Sequence, residues 1–257
     1  MDNALSKYRR EIAAQSLSFK AYIDAMLPPG KARKLLGILA SQCDVYVFGG
    51  IIRNFLLGYP FHRDIDFVVY AKEKITLPIS LLHGIDITRN KFGGVKLRLQ
   101  HLTIDIWNLP NTWGLQQIGG NATPYTLIKT VFFNFSAIVY DYNKQHFIYS
   151  EDFLRFYATK TMDIVYGKNP YPTACVVSTC YYAQEYSFTI GKKLRVWIGK
   201  QTLGDDIEVQ QVRRYGEVRF PIAVVKAFTS VCKMIKSPNT SVSIHDDRGL
   251  QYLFKFE

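Results

Sequence analysis

Two aspartates interrupt an apolar run. In VYVFGGIIRNFLLGYPFHRDIDFVVY, Val45–Tyr70, the pattern reads strand, Gly pair, helix and second strand, and Asp64 and Asp66 alternate there with Ile65 and Phe67. Ionised carboxylates are costly to enclose unless something pairs with them. Alternate residues of a strand share a face, so Asp64 and Asp66 project together while Ile65 and Phe67 face the core. Side by side, two carboxylates repel. A divalent ion resolves the repulsion, and oxygen-only ligands suit Mg²⁺ or Mn²⁺.

A third carboxylate, Asp105, lies in LTIDIWNL. The same alternation puts Thr103, Asp105 and Trp107 on one face and Leu102, Ile104 and Ile106 on the other. Adjacent strands would bring Asp105 beside the pair. Three carboxylates on one face can hold two ions about 3.5–4 Å apart, one activating an attacking oxygen and the other stabilising a leaving one. A solvated strand face is the plainer reading of an i, i+2 Asp pair; the flanking residues decide between them. The metal reading fails if Asp105 points away from the pair, or if a lysine fills the ion's place.

Gly49 and Gly50 follow a strand and open a helix, where free N–H groups and the positive dipole end favour phosphate. Arg53, one turn into that helix, and Arg63, next to Asp64, are placed to neutralise a triphosphate. The strand–GG–helix–DxD order is far more specific than a lone Gly pair.

The rest of the chain is globular in composition, with 48% hydrophobic and 21% charged residues. Residues 1–42 read as helices. Val45–Phe48, Ile65–Tyr70, Gly84–Thr88, Gly94–Leu99 and Leu102–Trp107 read as strands, the last two as a hairpin. Pro124–Thr130 reads as a short helix, Phe133–Tyr140 as a strand, and Gln145–Tyr149 as its hairpin partner. After Pro170 the periodicity is helical, over Ala174–Glu185, Asp205–Arg214 and Ile222–Met234, with an extended end near Leu250–Phe254. The expectation is an α+β fold with a mixed sheet flanked by helices over residues 1–160, its N-terminal helices at 1–42, and a smaller, mainly helical region over 161–257.

No apolar run reaches the roughly 18 residues of a membrane span, and a cytoplasmic protein is expected. The four cysteines lack metal or disulfide spacing and read as free, mostly buried thiols. The net charge of +11 favours a polyanionic partner. Arg89, Lys91, Lys96 and Arg98, in TRNKFGGVKLRLQ, form an acid-free basic segment able to guide an RNA end. Trp107 and Trp113, close to the proposed site, read as a base-stacking platform or as core or lid residues.

VFGGIIRNFLLGYPFHRDIDFVV resembles the head-domain signature of class II tRNA nucleotidyltransferases and bacterial poly(A) polymerases, within the DNA polymerase β-like nucleotidyltransferase superfamily. The resemblance covers roughly Val45–Asp141. It implies two-metal transfer of a nucleoside monophosphate from ATP or CTP to a hydroxyl, with pyrophosphate leaving. By that resemblance Gly49 and Gly50 contact phosphate, Asp64 and Asp66 bind metal, Asp105 is the third carboxylate, and Arg53 is the arginine after the Gly pair. In TVFFNFSAIVYD, Ala137, Tyr140 and Asp141 keep the family's pattern, but Thr130, Val131 and Phe132 replace its Arg-Arg-Asp. Asn134 or Ser136 is left to hydrogen-bond a sugar. The expected acceptor is an RNA 3′ end such as that of tRNA. The alternatives are a protein or small-molecule acceptor, or a nucleotide- or RNA-binding module without catalysis.

Overall fold

The structure, a computed structural model, describes residues 2–60, 64–73, 75–89, 94–99 and 102–257. Two compact units form, one from Met1–Val131 and Phe135–Ala158, the other from Phe132–Asn134 and Thr159–Glu257.

The first unit is built on seven strands: β1 (Asp44–Phe48), β2 (Asp64–Tyr70), β3 (Asp86–Arg89), β4 (Val95–Leu99), β5 (Leu102–Asn108), β6 (Ile138–Asp141) and β7 (His146–Tyr149). Their order is β3-β4-β5-β2-β1-β6-β7. Neighbours are antiparallel except β2 and β5, which run parallel. The sheet is therefore mixed, as the sequence led us to expect, and both hairpins are present, with Leu99 opposite Leu102 and Asp141 opposite His146. The parallel pair sets Asp66 opposite Asp105. On either side, β1 sets Phe48 opposite Asp66 and β4 sets Lys96 opposite Asp105. Phe48, Asp66, Asp105 and Lys96 thus form one row across four adjacent strands.

Helices α1 (Asp2–Ala14), α2 (Ser16–Met26), α3 (Lys31–Gln42), α4 (Gly50–Leu57), α5 (Ile79–Leu82), α6 (Trp113–Ile118), α7 (Pro124–Leu127) and α8 (Glu151–Thr159) accompany the sheet. Phe19 of α2 is fully buried, with its ring 5.0 Å from Phe55, 4.9 Å from Tyr140 and 5.2 Å from Phe147. Burying one such side chain contributes about 1.5–3 kcal/mol, which ties α2 to the sheet. The Tyr140 hydroxyl then donates to the Ser16 carbonyl at 2.9 Å. With only eight residues, α4 is too short to be stable alone. Buried Ile51, Ile52 and Leu56 hold it, and Gly58, at φ +71°, ends it in the left-handed conformation.

In the second unit, α9 (Pro172–Glu185), α10 (Lys192–Gly199), α11 (Ile207–Tyr215) and α12 (Ile222–Met234) accompany a four-stranded sheet. It comprises β8 (Thr161–Met162), β9 (Thr189–Ile190), β10 (Thr240–His245) and β11 (Gln251–Phe256), in the order β10-β11-β9-β8. Phe228 of α12 stacks on Phe254 of β11 with centroids 4.4 Å apart. All four cysteines are free, and Cys175, Cys180 and Cys232 are buried. No helix among the described residues is long and apolar enough to cross a membrane.

Two readings of the sequence need correction. Phe133–Tyr140 is not one strand; only Ile138–Asp141 is, preceded by a 3₁₀ turn at Asn134–Ser136. The Phe-rich run is divided between two cores. Phe132 packs on Trp197 at 4.8 Å in the second unit, whereas Phe135 packs on Phe156 at 5.5 Å in the first. The C-terminal region also contains a full hairpin, β10–β11, rather than one short extended end. Its first strand, TSVSIH, is only half-apolar and carries a weak signal.

Candidate active site

The Gly pair and the aspartates meet at one point. Gly49 has φ +87° and ψ −157°, a conformation closed to side-chain-bearing residues in practice. A Cβ there would lie 2.7 Å from Asp66 Oδ2. Glycine is required twice over, for the turn and for the carboxylate that approaches it.

Strand alternation places the acids as expected. Ile65 and Phe67 are buried on one face of β2, while exposed Asp64 and half-buried Asp66 lie on the other. On β5, Asp105 is buried with one oxygen, Oδ1, lacking any hydrogen-bond partner. Its other oxygen, Oδ2, accepts from Lys96 Nζ at 2.8 Å. Burial first, and then the neighbouring charge of Asp105, push the Asp66 carboxyl up to about 7. The Trp107 indole N–H donates to Asp66 and works in the opposite direction. This donor role differs from the stacking, core or lid role that the sequence suggests for Trp107; its alternation with Asp105 is the signal that places it there.

Asp105 stands opposite Asp66, with Thr103 opposite Asp64, and a lysine, Lys96, reaches Asp105 Oδ2. Among the described residues no three His, Cys, Asp or Glu side chains converge as a ready ion-binding group. Asp64 sits one side-chain row, about 7 Å, further along the strand, and Lys96 holds one oxygen of Asp105. The oxygen donors of Asp66 and Asp105 nonetheless suit a divalent cation: Lys96 contacts one oxygen of Asp105, and the other is buried with no hydrogen-bond partner among the described residues.

Arg53 is placed differently from the triphosphate contact expected of it. It is 3% exposed, its Nε and Nη2 donate to Asn54 Oδ1 at 3.1 and 2.8 Å, and its guanidinium lies 5.1 Å from the Phe135 ring. A Cβ on Gly50 would be 3.3 Å from its Nη2, so Arg53 braces the Gly turn from beneath. Arg63 and Lys91 lie outside the described residues. Arg89 is exposed on β3, but Arg98 is paired with Asp86 at 2.9 Å, and Lys96 with Asp105. The basic segment is therefore partly self-neutralised. Asn134 does not present its side chain to a sugar: it donates to the Thr161 carbonyl at 3.0 Å and accepts from the Asp163 N–H at 2.9 Å.

No protein-family model and no curated protein matches this sequence. Solved structures match in fold. A CCA-adding enzyme in complex with CTP is 17% identical, with a TM-score of 0.56 over 80% of this chain and 53% of that one. A tRNA nucleotidyltransferase complexed with a primer tRNA and an incoming ATP analog is 16% identical, with a TM-score of 0.52 over 80% and 61%. The fold is that of the CCA-adding nucleotidyltransferases. The Thermotoga maritima CCA-adding enzyme complexed with tRNA-CCA adds a third match, 18% identical at TM-score 0.52 over 77% and 52%. This chain spans little more than half the length of those CCA-adding enzymes.

Proposed function

We propose that the protein is a nucleotidyltransferase that moves a nucleoside monophosphate from an NTP, ATP or CTP, to a hydroxyl at an RNA 3′ end such as that of tRNA. In that reaction the acceptor oxygen forms a bond to the α-phosphorus as the bond to the β-phosphate oxygen breaks, and pyrophosphate leaves. The observation that carries the reading is the pairing of Asp66 with Asp105 beside the Gly49 turn, with a buried carboxylate oxygen left over.

Each residue has a role in this scheme. Asp64, Asp66 and Asp105 would hold Mg²⁺ or Mn²⁺; when bound, the ions supply charge stabilisation at the phosphates and lower the pKa of the acceptor hydroxyl. Asp105 would also assist removal of that hydroxyl's proton. The turn at Gly49–Gly50 offers backbone N–H groups to the phosphates. Trp107 orients Asp66 through its indole N–H. Arg53 lies against the Gly turn and donates to Asn54. RNA as the acceptor is supported by the net charge of +11 and by the tRNA bound in two of the matching structures.

Lys96 favours a second reading, a nucleotide- or RNA-binding module in which the lysine stands permanently in an ion's place. Against it, Lys96 satisfies a single oxygen of the site. Incubation with total cellular RNA and each labelled NTP separately, with Mg²⁺, distinguishes the readings. The expected result is a labelled RNA band and released pyrophosphate, both abolished by Asp64→Ala or Asp66→Ala with the fold intact. Transfer unchanged in those variants overturns the assignment. Nucleotide binding without pyrophosphate supports the second reading, and label on protein or a small molecule redirects the acceptor.

A further inference from the structure

Lys96 is the cation at the end of the row. Its neighbour on the row, Asp105, is buried, yet the lysine side chain remains about a third exposed, with its ammonium 2.8 Å from Asp105 Oδ2. It reaches in from solvent on a flexible four-carbon stem, an arrangement a lysine can leave as well as enter. Arg98, two residues on and on the same face of β4, is held by Asp86 at 2.9 Å and is not available to take its place.

The contact is also incomplete as a permanent substitute for an ion. A fixed replacement would satisfy both oxygens of the acid it neutralises. Here Oδ1 stays buried and unpartnered, and Asp66 next to it feels the Lys96 charge without forming an ion pair among the described residues. Among the described residues, Lys96 holds one oxygen of Asp105 and leaves the other without a partner. This is the pattern of a counter-ion that limits repulsion in the ion-free site without supplanting the ion.

We propose that Lys96 is an exchangeable counter-ion: it occupies Asp105 Oδ2 while no divalent ion is bound and must surrender that oxygen when one binds. The proposal rests on reading the aspartates as an ion site. It makes Lys96 a positioning residue with two opposed effects. The lysine stabilises the ion-free protein by holding Asp105, and it weakens ion binding by competing for the same oxygen.

The test needs neither nucleotide nor catalysis. Mn²⁺ alone is titrated into the full chain by calorimetry, and melting is followed with EDTA and with saturating Mn²⁺. The proteins are wild type, Lys96→Met, Lys96→Arg and Asp66→Ala. In Lys96→Met the Mn²⁺ affinity should rise about tenfold, the factor that corresponds to 1.4 kcal/mol of relieved competition. The same variant should melt earlier than wild type in EDTA, and the gap should close with Mn²⁺. Lys96→Arg keeps the charge and should stay near wild-type affinity, so it carries the test if Lys96→Met fails to fold; a tenfold rise in Lys96→Arg overturns the proposal. Asp66→Ala should lose the Mn²⁺ signal. Equal or weaker Mn²⁺ binding in Lys96→Met, with wild type binding normally, overturns the counter-ion role and leaves the ion site standing. No Mn²⁺ binding in wild type, or unchanged binding in Asp66→Ala, removes the ion site itself and the nucleotidyl-transfer reading with it.

Discussion

Gly49→Ala tests whether the Gly pair exists to admit a carboxylate. Two costs add at that position. The first is conformational: φ +87° with ψ −157° lies in a region essentially reserved for glycine, and forcing alanine into it costs of order 1–3 kcal/mol. The second is steric. The new Cβ would lie 2.7 Å from Asp66 Oδ2, closer than real Cβ contacts come, so the carboxylate must move. Its freedom is limited, since Trp107 donates to it and the Asp105 carboxylate stands opposite and repels it. Overpacking of this kind costs roughly 1–3 kcal/mol more. Gly58→Ala is the control, because Gly58 also has positive φ, +71°, but nothing within 4 Å of its would-be Cβ. Its expected loss is about 1–2 kcal/mol, from conformation alone. Urea unfolding should show the larger loss in Gly49→Ala, from its more strained backbone together with the steric part. A double-mutant cycle isolates that part, since with Asp66→Ala in place the Gly49→Ala loss should shrink by roughly 1–3 kcal/mol. Equal losses at Gly49 and Gly58, or strict additivity with Asp66→Ala, would refute the close approach on which the site depends.

Further outcomes follow from individual side chains. Asp66 holds its proton up to about pH 7 in the folded, ion-free protein, against an ordinary value of 3.8. The folded state thus binds a proton that the unfolded chain releases, and stability should fall as pH rises from about 4 to about 7, by at most ~1.4 kcal/mol per pH unit from this group. Asp66→Asn should flatten that difference in urea midpoints measured with EDTA; parallel pH profiles for variant and wild type would contradict it. Asn134→Ala should destabilise the protein by about 1–3 kcal/mol through the lost partners at Thr161 and Asp163, and leave the KM for NTP unchanged. A raised KM with intact stability would return Asn134 to the sugar.

Alternation alone told much of this in advance. The order strand–GG–helix–DxD located β1, α4 and β2 to within a residue or two, because period-two patterning and glycine punctuation are local properties of the chain. It put Asp64 with Asp66, and Asp105 with Trp107, on shared faces for the same reason. What alternation could not give was which strands adjoin. The Phe-rich stretch 132–135 shows the limit plainly, since apolarity demands burial without saying in which core. Arg53 shows another, since its spacing from the Gly pair is equally compatible with a phosphate contact and with a buried brace on Asn54 and Phe135.

The sequence by itself determined that Asp64 would share a strand face with Asp66, and Asp105 with Trp107, since backbone geometry fixes side-chain direction within a strand. Only the tertiary structure decided that β2 and β5 are parallel neighbours, which sets Asp66 against Asp105, and that β4 delivers Lys96 to the same row. Strand pairing joins residues distant in sequence through backbone hydrogen bonds common to every residue. The identity of the partner strand, and with it the charge on each side of an aspartate, is settled only when the whole sheet assembles.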